Sequence, residues 1–402
     1  MRDGKGVYRV GKGEREIRVK KAFKRGRVAM NGKRAIEYIE KLCAEKGLAY
    51  LDVRLYKGYE ELFSYGVAKG KQPTGKERLY LFSATKPMTV VCAMRLIEEG
   101  KMSLDDTVES YLPAYKDAFL LDKNGNATPT KNKMTIRHLL TMSGGLSYDV
   151  QTKPVQELLQ KTDGKPTTEQ AVSAFIKTPL SFEPGERFQY SLCHDVLAAV
   201  IEKVSGKRFS AYMNEIIFQP LGMTDSGFHT ESKGIYDMYD CDENGKIWQI
   251  EPYNRLVLGE NYDSGGAGVI SNVDDYAKFA VALANGGVAE NGVRLLKEKT
   301  LEEVRSTAHA DMQVENAFTC VQGGEYAYGL GVRVRTKDTP WGLQKGEYGW
   351  DGAAGTYLMI DPRNKIAVVV GMHLLSWPYL FRGEQLKIVQ KLYEDLREEG
   401  AL

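Results

Sequence analysis

The sequence predicts an α+β protein: an antiparallel sheet flanked by helices and assembled from both ends of the chain, with a mainly helical domain inserted between them. Three observations predict it. A helix-like segment and two strand-like runs occupy residues 34–69. Strand-like runs and a closing helix return after residue 320. Between them, from about 105 to 260, the chain reads as helices broken by Pro- and Gly-containing loops. Apolar strands at the two ends find cover most simply by joining one sheet. We therefore expect a basic extension over residues 1–32, a discontinuous sheet domain over 33–130 and 261–402, and an inserted helical domain over 131–260.

The elements follow in order. Residues 1–30 hold eleven Lys/Arg against Asp3, Glu14 and Glu16, a net +8 that leaves −6 on the rest of a chain whose total is +2. This arm has few aromatics and no apolar stripe, so it reads as a solvated or loosely strand-forming extension and not as a nucleic-acid or membrane-binding segment. Over 34–46, Ile36, Ile39, Leu42 and Cys43 share one helical face. LAYLDVRLY (48–56) and ELFSYGVAK (61–69) are strand-like and joined at Lys57-Gly58-Tyr59, a hairpin signal. A helix is expected from about Ser83 to Glu99, closed by Gly100. Late strands are expected in YAYGLGVRVRT (326–336), GTYLMID (355–361) and KIAVVVGMHLL (365–375), and a last helix over about 381–398.

Composition excludes several classes. With 43% apolar and 27% charged residues the chain is ordinary for a globular protein. Its longest nearly apolar run, Ile366 to Leu375, falls far short of the roughly 20 residues that span a bilayer. No apolar segment follows the basic start, so no secretory leader is expected. The five cysteines are an odd number without metal-ligand spacing, which reads as reduced thiols in a cytoplasmic protein. His138, His229, His309 and His373 are dispersed, so no metal is expected.

The segment with chemical content is Phe82-Ser83-Ala84-Thr85-Lys86-Pro87. Near a helix start, residues 83 and 86 share a face one turn apart, and Pro87 suits a first turn. A serine hydroxyl is a weak nucleophile and needs an adjacent base. Lysine serves only as the neutral amine, which burial and the helix N-terminus both favour. The tetrapeptide alone decides nothing: seventeen serines in a lysine-rich chain should produce Ser-x-x-Lys about once by chance, and it occurs once.

Longer segments decide more. LYLFSATKPMTVVCAMRLIEEGKMSLDDTVESYLP (79–113), MTIRHLLTMSGGLSYD (134–149), FEPGERFQYSLCHDVLAAVIEKVSG (182–206), IFQPLGMTDSGF (217–228), SGGAGVISNVDDYAKFA (264–280) and WDGAAGTYLMIDP (350–362) occur in one order. In that order and approximate spacing the chain resembles the serine hydrolase superfamily of class C β-lactamases, penicillin-binding D-peptidases and related esterases, over roughly residues 33–395. The resemblance implies a β-lactamase/transpeptidase-like fold. It implies Ser83 and Lys86 as the catalytic pair and Tyr190 as the proton-relaying partner; which of Lys86 and Tyr190 is the formal base is not legible in the sequence, because closely coupled groups titrate as a unit. It also implies an oxyanion hole from the N–H groups of Ser83 and Ala353, and substrate-binding positions at Tyr148, Leu192, Trp350 and Gly352.

Two positions depart from the β-lactamase pattern. Leu192 stands where those enzymes carry an amide-binding asparagine, and Trp350-Asp351-Gly352 stands where they carry Lys-Thr-Gly. Both changes remove polar recognition of a carboxylate-bearing amide, and Trp350 resembles the esterase branch. The expectation is therefore a hydrolase of carboxylic esters with small or apolar acyl groups, working through a Ser83 acyl-enzyme without a cofactor. Its partner is a small-molecule ester or amide; no nucleic acid and no membrane span are expected, and oligomeric state is not legible. Alternatives are an acyltransferase on the same acyl-enzyme, a β-lactamase or D-amino-acid peptidase, and a non-catalytic binding module. Ser191, His194 and Asp195 mimic a triad, but their spacing along one helical turn favours structural roles. Gly66 to Lys71 is one residue short of a phosphate loop and reads as a turn. For Gly265, Gly266 and Gly268 a backbone role is expected.

Overall fold

The computed structural model describes residues 30–229, 234–307, 325–377 and 383–402. The basic arm before Met30 lies outside the described residues, as do His309 and Cys320. In chain order the elements are α1 (Lys33–Lys46), β1 (Tyr50–Lys57), β2 (Glu60–Ala68), β3 (Leu79–Tyr80), α2 (Lys86–Glu98), β4 (Phe119–Leu121), β5 (Ala127–Pro129), α3 (Ile136–Leu140), α4 (Lys153–Lys161), α5 (Thr168–Phe175) and α6 (Cys193–Ser205). Then come α7 (Phe209–Met213), α8 (Gln219–Leu221), β6 (Met238–Cys241), β7 (Ile247–Ile250), β8 (Ile270–Ser271), α9 (Val273–Ala284), α10 (Glu298–Val304), β9 (Tyr326–Tyr328), β10 (Arg333–Arg335), β11 (Tyr348–Asp351), β12 (Tyr357–Asp361), β13 (Ile366–Gly371) and α11 (Glu384–Glu398).

Among the described residues one seven-stranded sheet runs in the order β2-β1-β13-β12-β11-β10-β9, with every neighbouring pair antiparallel. The two ends of the chain meet in the pairing of β1 with β13, where Val53 faces Val370 and Leu55 faces Val368. The two ends of the chain thus close one sheet, as the strand-like runs at both ends predict. The strands read as continuous apolar runs because both faces are covered. Ile366, Val368 and Val370 of β13 point into a core shared with Ile39 and Leu42 of α1 and Leu392 and Leu396 of α11. Ala367 and Val369 point the other way, into a second core with α2, α6 and α9. That second core continues from Leu358 and Ile360 of β12 into Leu139 of α3 and Val172 of α5.

Three local readings are revised. The run 326–336 is a hairpin and not one strand, because Gly331 at φ +75° breaks it. The segment 348–351 forms β11, a strand that sequence reasoning did not separate from its neighbours. Small hairpins β4-β5 and β6-β7 interrupt the mainly helical middle.

Candidate active site

Ser83 sits in a 3₁₀ turn, Phe82–Thr85, that leads directly into α2. Phe82 adopts φ +48°, a left-handed conformation that an aromatic residue rarely takes and that the surroundings must hold in place. Its ring packs against Met238 and Ala354. The backbone on either side is tied down: Leu81 N–H donates to Val269 O at 3.0 Å, and Tyr276 Oη donates to Ala84 O at 2.7 Å. Thr85 Oγ1 accepts from Val269 N at 3.1 Å, and Thr89 Oγ1 donates to Gly265 O at 2.6 Å. The start of α2 is therefore stitched to the segment 265–269 and Ser83 is presented at a fixed point, 7% exposed.

Lys86, the first residue of α2, is fully buried. Its Nζ donates to Ser83 Oγ at 3.1 Å and to Gly266 O at 2.8 Å, and lies 4.6 Å from the centroid of the Tyr190 ring. Burial drives its pKa down to about 7, against the opposing negative field of Asp195. Asp195 is itself buried and accepts from Tyr262 Oη at 2.7 Å and Ser264 Oγ at 2.6 Å. Glycine is required here. A Cβ on Gly266 would fall 2.6 Å from Asp195 Oδ2, and one on Gly265 would fall 2.3 Å from His194 O.

Tyr190 and Tyr148 complete the cluster. Tyr190 is buried, and burial holds its hydroxyl well above the usual tyrosine range, while hydrogen bonds with Ser83 and Trp350 act in the opposite direction. Trp350 Nε1 donates to Tyr190 Oη at 3.2 Å, and the two rings stack with centroids 5.7 Å apart. Tyr148 packs on Tyr190 with centroids 5.2 Å apart. Burial pushes the Tyr148 hydroxyl up to about 12; its hydrogen bond with Ser83 lowers it, the Asp195 charge raises it, and Arg255 and a hydrogen bond with Tyr190 lower it. Ser83, Lys86, Tyr190 and Tyr148 thus form one hydrogen-bonded group of neutral or near-neutral side chains.

The remaining expected residues fall as follows. Trp350 is 2% exposed, with its single N–H engaged by Tyr190. Leu192 is also buried, just before α6, and its N–H donates to Ser147 O at 3.2 Å. Gly352 follows β11 and is pressed against the turn that carries Ser83: a Cβ there would lie 2.3 Å from Leu81 O. Gly352 N donates to Thr356 O at 2.7 Å and Gly355 turns at φ +96°, so residues 352–355 form a tight loop beside Phe82 and Ser83. The N–H groups of Ser83 and Ala353 donate to no backbone carbonyl among the described residues.

Ser191 bonds the sulfurs of Met142 and Cys193, whereas Asp195 serves Tyr262 and Ser264, so the two belong to different networks. Sequence reasoning left Asp195 without a relation to Lys86, because that relation runs through the fold of the distant segment 264–266 and no local spacing encodes it. Among the described residues no cluster of His, Cys, Asp and Glu could hold a metal ion, and no helix is long and apolar enough to cross a membrane.

A sheet closed by both chain ends, helices packed on both of its faces and Ser-x-x-Lys at the entry to α2 define a β-lactamase/transpeptidase-like fold of the serine hydrolase kind. Residues 37–387 match the family Beta-lactamase, and the chain belongs to that family of serine hydrolases. It is similar to Protein Rv1367c of Mycobacterium tuberculosis, at 29% identity over 72% of this chain and 76% of that one. It is similar to Esterase EstB of Burkholderia gladioli, at 31% identity over 54% of this chain and 60% of that one. Among solved structures it resembles EstCE1, described as a hydrolase with promiscuous acyltransferase activity, at TM-score 0.73 and 26% identity over 90% of this chain and 98% of that one.

Proposed function

We propose that the protein hydrolyses carboxylic esters with small or apolar acyl groups through an acyl-enzyme on Ser83. The observation that carries this reading is the 3.1 Å bond from Lys86 Nζ to Ser83 Oγ, made by an amine that burial brings to a pKa of about 7. Such a lysine holds a substantial neutral fraction at neutral pH and can accept the hydroxyl proton, as a general base tuned to its working pH should. Ser83 Oγ attacks the ester carbonyl as its proton passes to the Lys86/Tyr190 pair. The oxyanion is met by the N–H groups of Ser83 and Ala353, each donor being worth a few kcal/mol, on the order of 3. Collapse expels the alcohol, which takes the proton from the same pair. Water then repeats the sequence in reverse roles, freeing the acid and restoring Ser83.

The ester preference rests on the neutral lining. Tyr148, Tyr190 and Trp350 offer aromatic surface and hydroxyls, and Trp350 brings no charge to hold a β-lactam carboxylate. The likeness to Esterase EstB points the same way. A second reading keeps the acyl-enzyme and passes the acyl group to an alcohol; the description of EstCE1 favours it. The test is turnover of p-nitrophenyl acetate, p-nitrophenyl butyrate and a chromogenic cephalosporin, with Ser83→Ala as reference. Ester turnover well above that of Ser83→Ala is expected, with little cephalosporin cleavage. Ester rates equal to the variant's would refute the proposal, and rapid cephalosporin cleavage would replace it with a β-lactamase reading. An acyl-enzyme mass on Ser83 that decays faster in added alcohol than in water would establish transfer.

A further inference from the structure

Arg255 lies in the connection after β7, exposed to solvent. The backbone on both sides of it is fixed against the catalytic segment. Asn254 Nδ2 donates to Ala267 O at 2.8 Å, and Asn254 Oδ1 accepts from Leu256 N at 3.0 Å. Leu256 and Leu258 are buried in the core that also holds Tyr190 and Trp350. Ala267 is the residue next to Gly266, whose carbonyl holds Lys86 Nζ. Arg255 is thus mounted one residue away from a contact that is anchored beside the lysine.

Two further observations bear on its use. Its positive field reaches the Tyr148 hydroxyl, which is hydrogen-bonded with Ser83. Its guanidinium has no hydrogen bond or ion pair among the described residues; of the acidic groups nearby in the chain, Asp263 is engaged with Arg208 at 2.7 Å and Glu260 with Lys165 at 2.9 Å, and Glu251 is exposed to solvent. An arginine held at its backbone, left unpaired and close enough for its charge to act on Tyr148 is available to an anion brought by the substrate. The planar fork matches a carboxylate in two parallel hydrogen bonds. The same connection exposes Tyr253, and β7 exposes Trp248.

We infer that Arg255 is a specificity-determining residue that selects esters carrying a carboxylate away from the scissile bond, on an otherwise apolar acyl or alcohol part. This rests on the ester-hydrolase reading above. It also assigns to a different element the anion recognition that Trp350 cannot provide.

The experiment compares matched ester pairs at pH 7.5, where the added carboxylate is ionised. Mono-p-nitrophenyl adipate against p-nitrophenyl hexanoate tests the acyl side; 3-acetoxybenzoate against phenyl acetate tests the alcohol side. The readout is the anionic-to-neutral ratio of kcat/KM for the natural protein, Arg255→Gln and Arg255→Lys. In one of the pairs Arg255→Gln is expected to lower the ratio by about tenfold or more, as loss of a charge-assisted hydrogen bond implies. Arg255→Lys should restore part of it. Raising salt should shrink the ratio of the natural protein and leave that of Arg255→Gln nearly unmoved. Ratios unchanged by Arg255→Gln in both pairs, with neutral esters still turned over, overturn this inference alone. No ester turned over above the level of Ser83→Ala overturns the ester-hydrolase reading and this inference together.

Discussion

Two of the hydrogen bonds at Tyr190 differ in consequence. In the proposed mechanism its contact with Ser83 belongs to proton transfer, whereas the 3.2 Å bond from Trp350 Nε1 orients the hydroxyl and favours its deprotonated form. The two roles separate by mutation. Tyr190→Phe removes the hydroxyl that the proposed mechanism uses to share the proton and should lower kcat for p-nitrophenyl butyrate by about 10²–10⁴. Trp350→Phe keeps an aromatic ring in the stack but deletes the N–H, and should lower kcat by roughly tenfold with little change in KM. Steady-state kinetics of both variants measure this; a Trp350→Phe enzyme whose loss lies wholly in KM would instead make Trp350 a substrate contact. In the natural protein kcat/KM should rise with pH and level off above about 7, because the proposed mechanism needs Lys86 neutral to accept the serine proton.

At the scale of elements, α1 begins without a cap of its own: Gly32 precedes it and no side chain of the segment caps its first turn. The cap comes from the other end of the chain. Asp395 of α11 accepts from Ala35 N at 3.0 Å and Arg34 N at 3.2 Å, and Glu399 accepts from Asn31 N at 2.9 Å. Carboxylates facing a helix N-terminus also meet the positive end of its dipole. Asp395→Ala should therefore destabilise the fold by about 1–2 kcal/mol, read from chemical denaturation, with ester turnover unaffected at temperatures where the chain remains folded. A change below a few tenths of a kcal/mol would show that the contact is not maintained in solution. No sequence rule would have found this cap, because its partners stand about 360 residues apart. The same limit explains what was legible elsewhere. α1, the β1-β2 hairpin and β13 follow from local periodicity, and the Ser83 to Lys86 spacing is a property of one helix turn. Asp195 opposite Lys86, the Trp350 to Tyr190 bond and the Gly352 approach to Leu81 join distant segments. The segment resemblance could point to Tyr190 and Trp350 but not to the bond between them, and nothing in the local sequence singled out Arg255.

For the molecule as a whole, the site has a thermodynamic signature. Lys86 sits fully buried where its ammonium is poorly solvated, so folding lowers its pKa to about 7, whereas the unfolded chain keeps the ordinary value of about 10.4. Between those two values the unfolded state holds one more proton than the folded state. Stability contributed through this group must then rise with pH across that window, by about 1.4 kcal/mol per unit, and be flat below pH 7, where both states are protonated. Burial of the charged form is thus a standing destabilisation near and below neutrality, accepted because an unperturbed lysine would have almost no neutral fraction to act as base. Lys86→Met keeps the volume and removes the titration. Relative to the natural protein, this variant should be favoured most at pH 7 and lose that relative advantage progressively up to pH 9.5, because tyrosine and cysteine titrations are common to both chains and cancel in the difference. Urea unfolding of the two proteins at pH 7.5, 8.5 and 9.5 gives the comparison directly. A stability difference that stays constant over that range would mean that Lys86 keeps an ordinary pKa in the folded chain, and would remove the basis for treating it as the proton acceptor for Ser83.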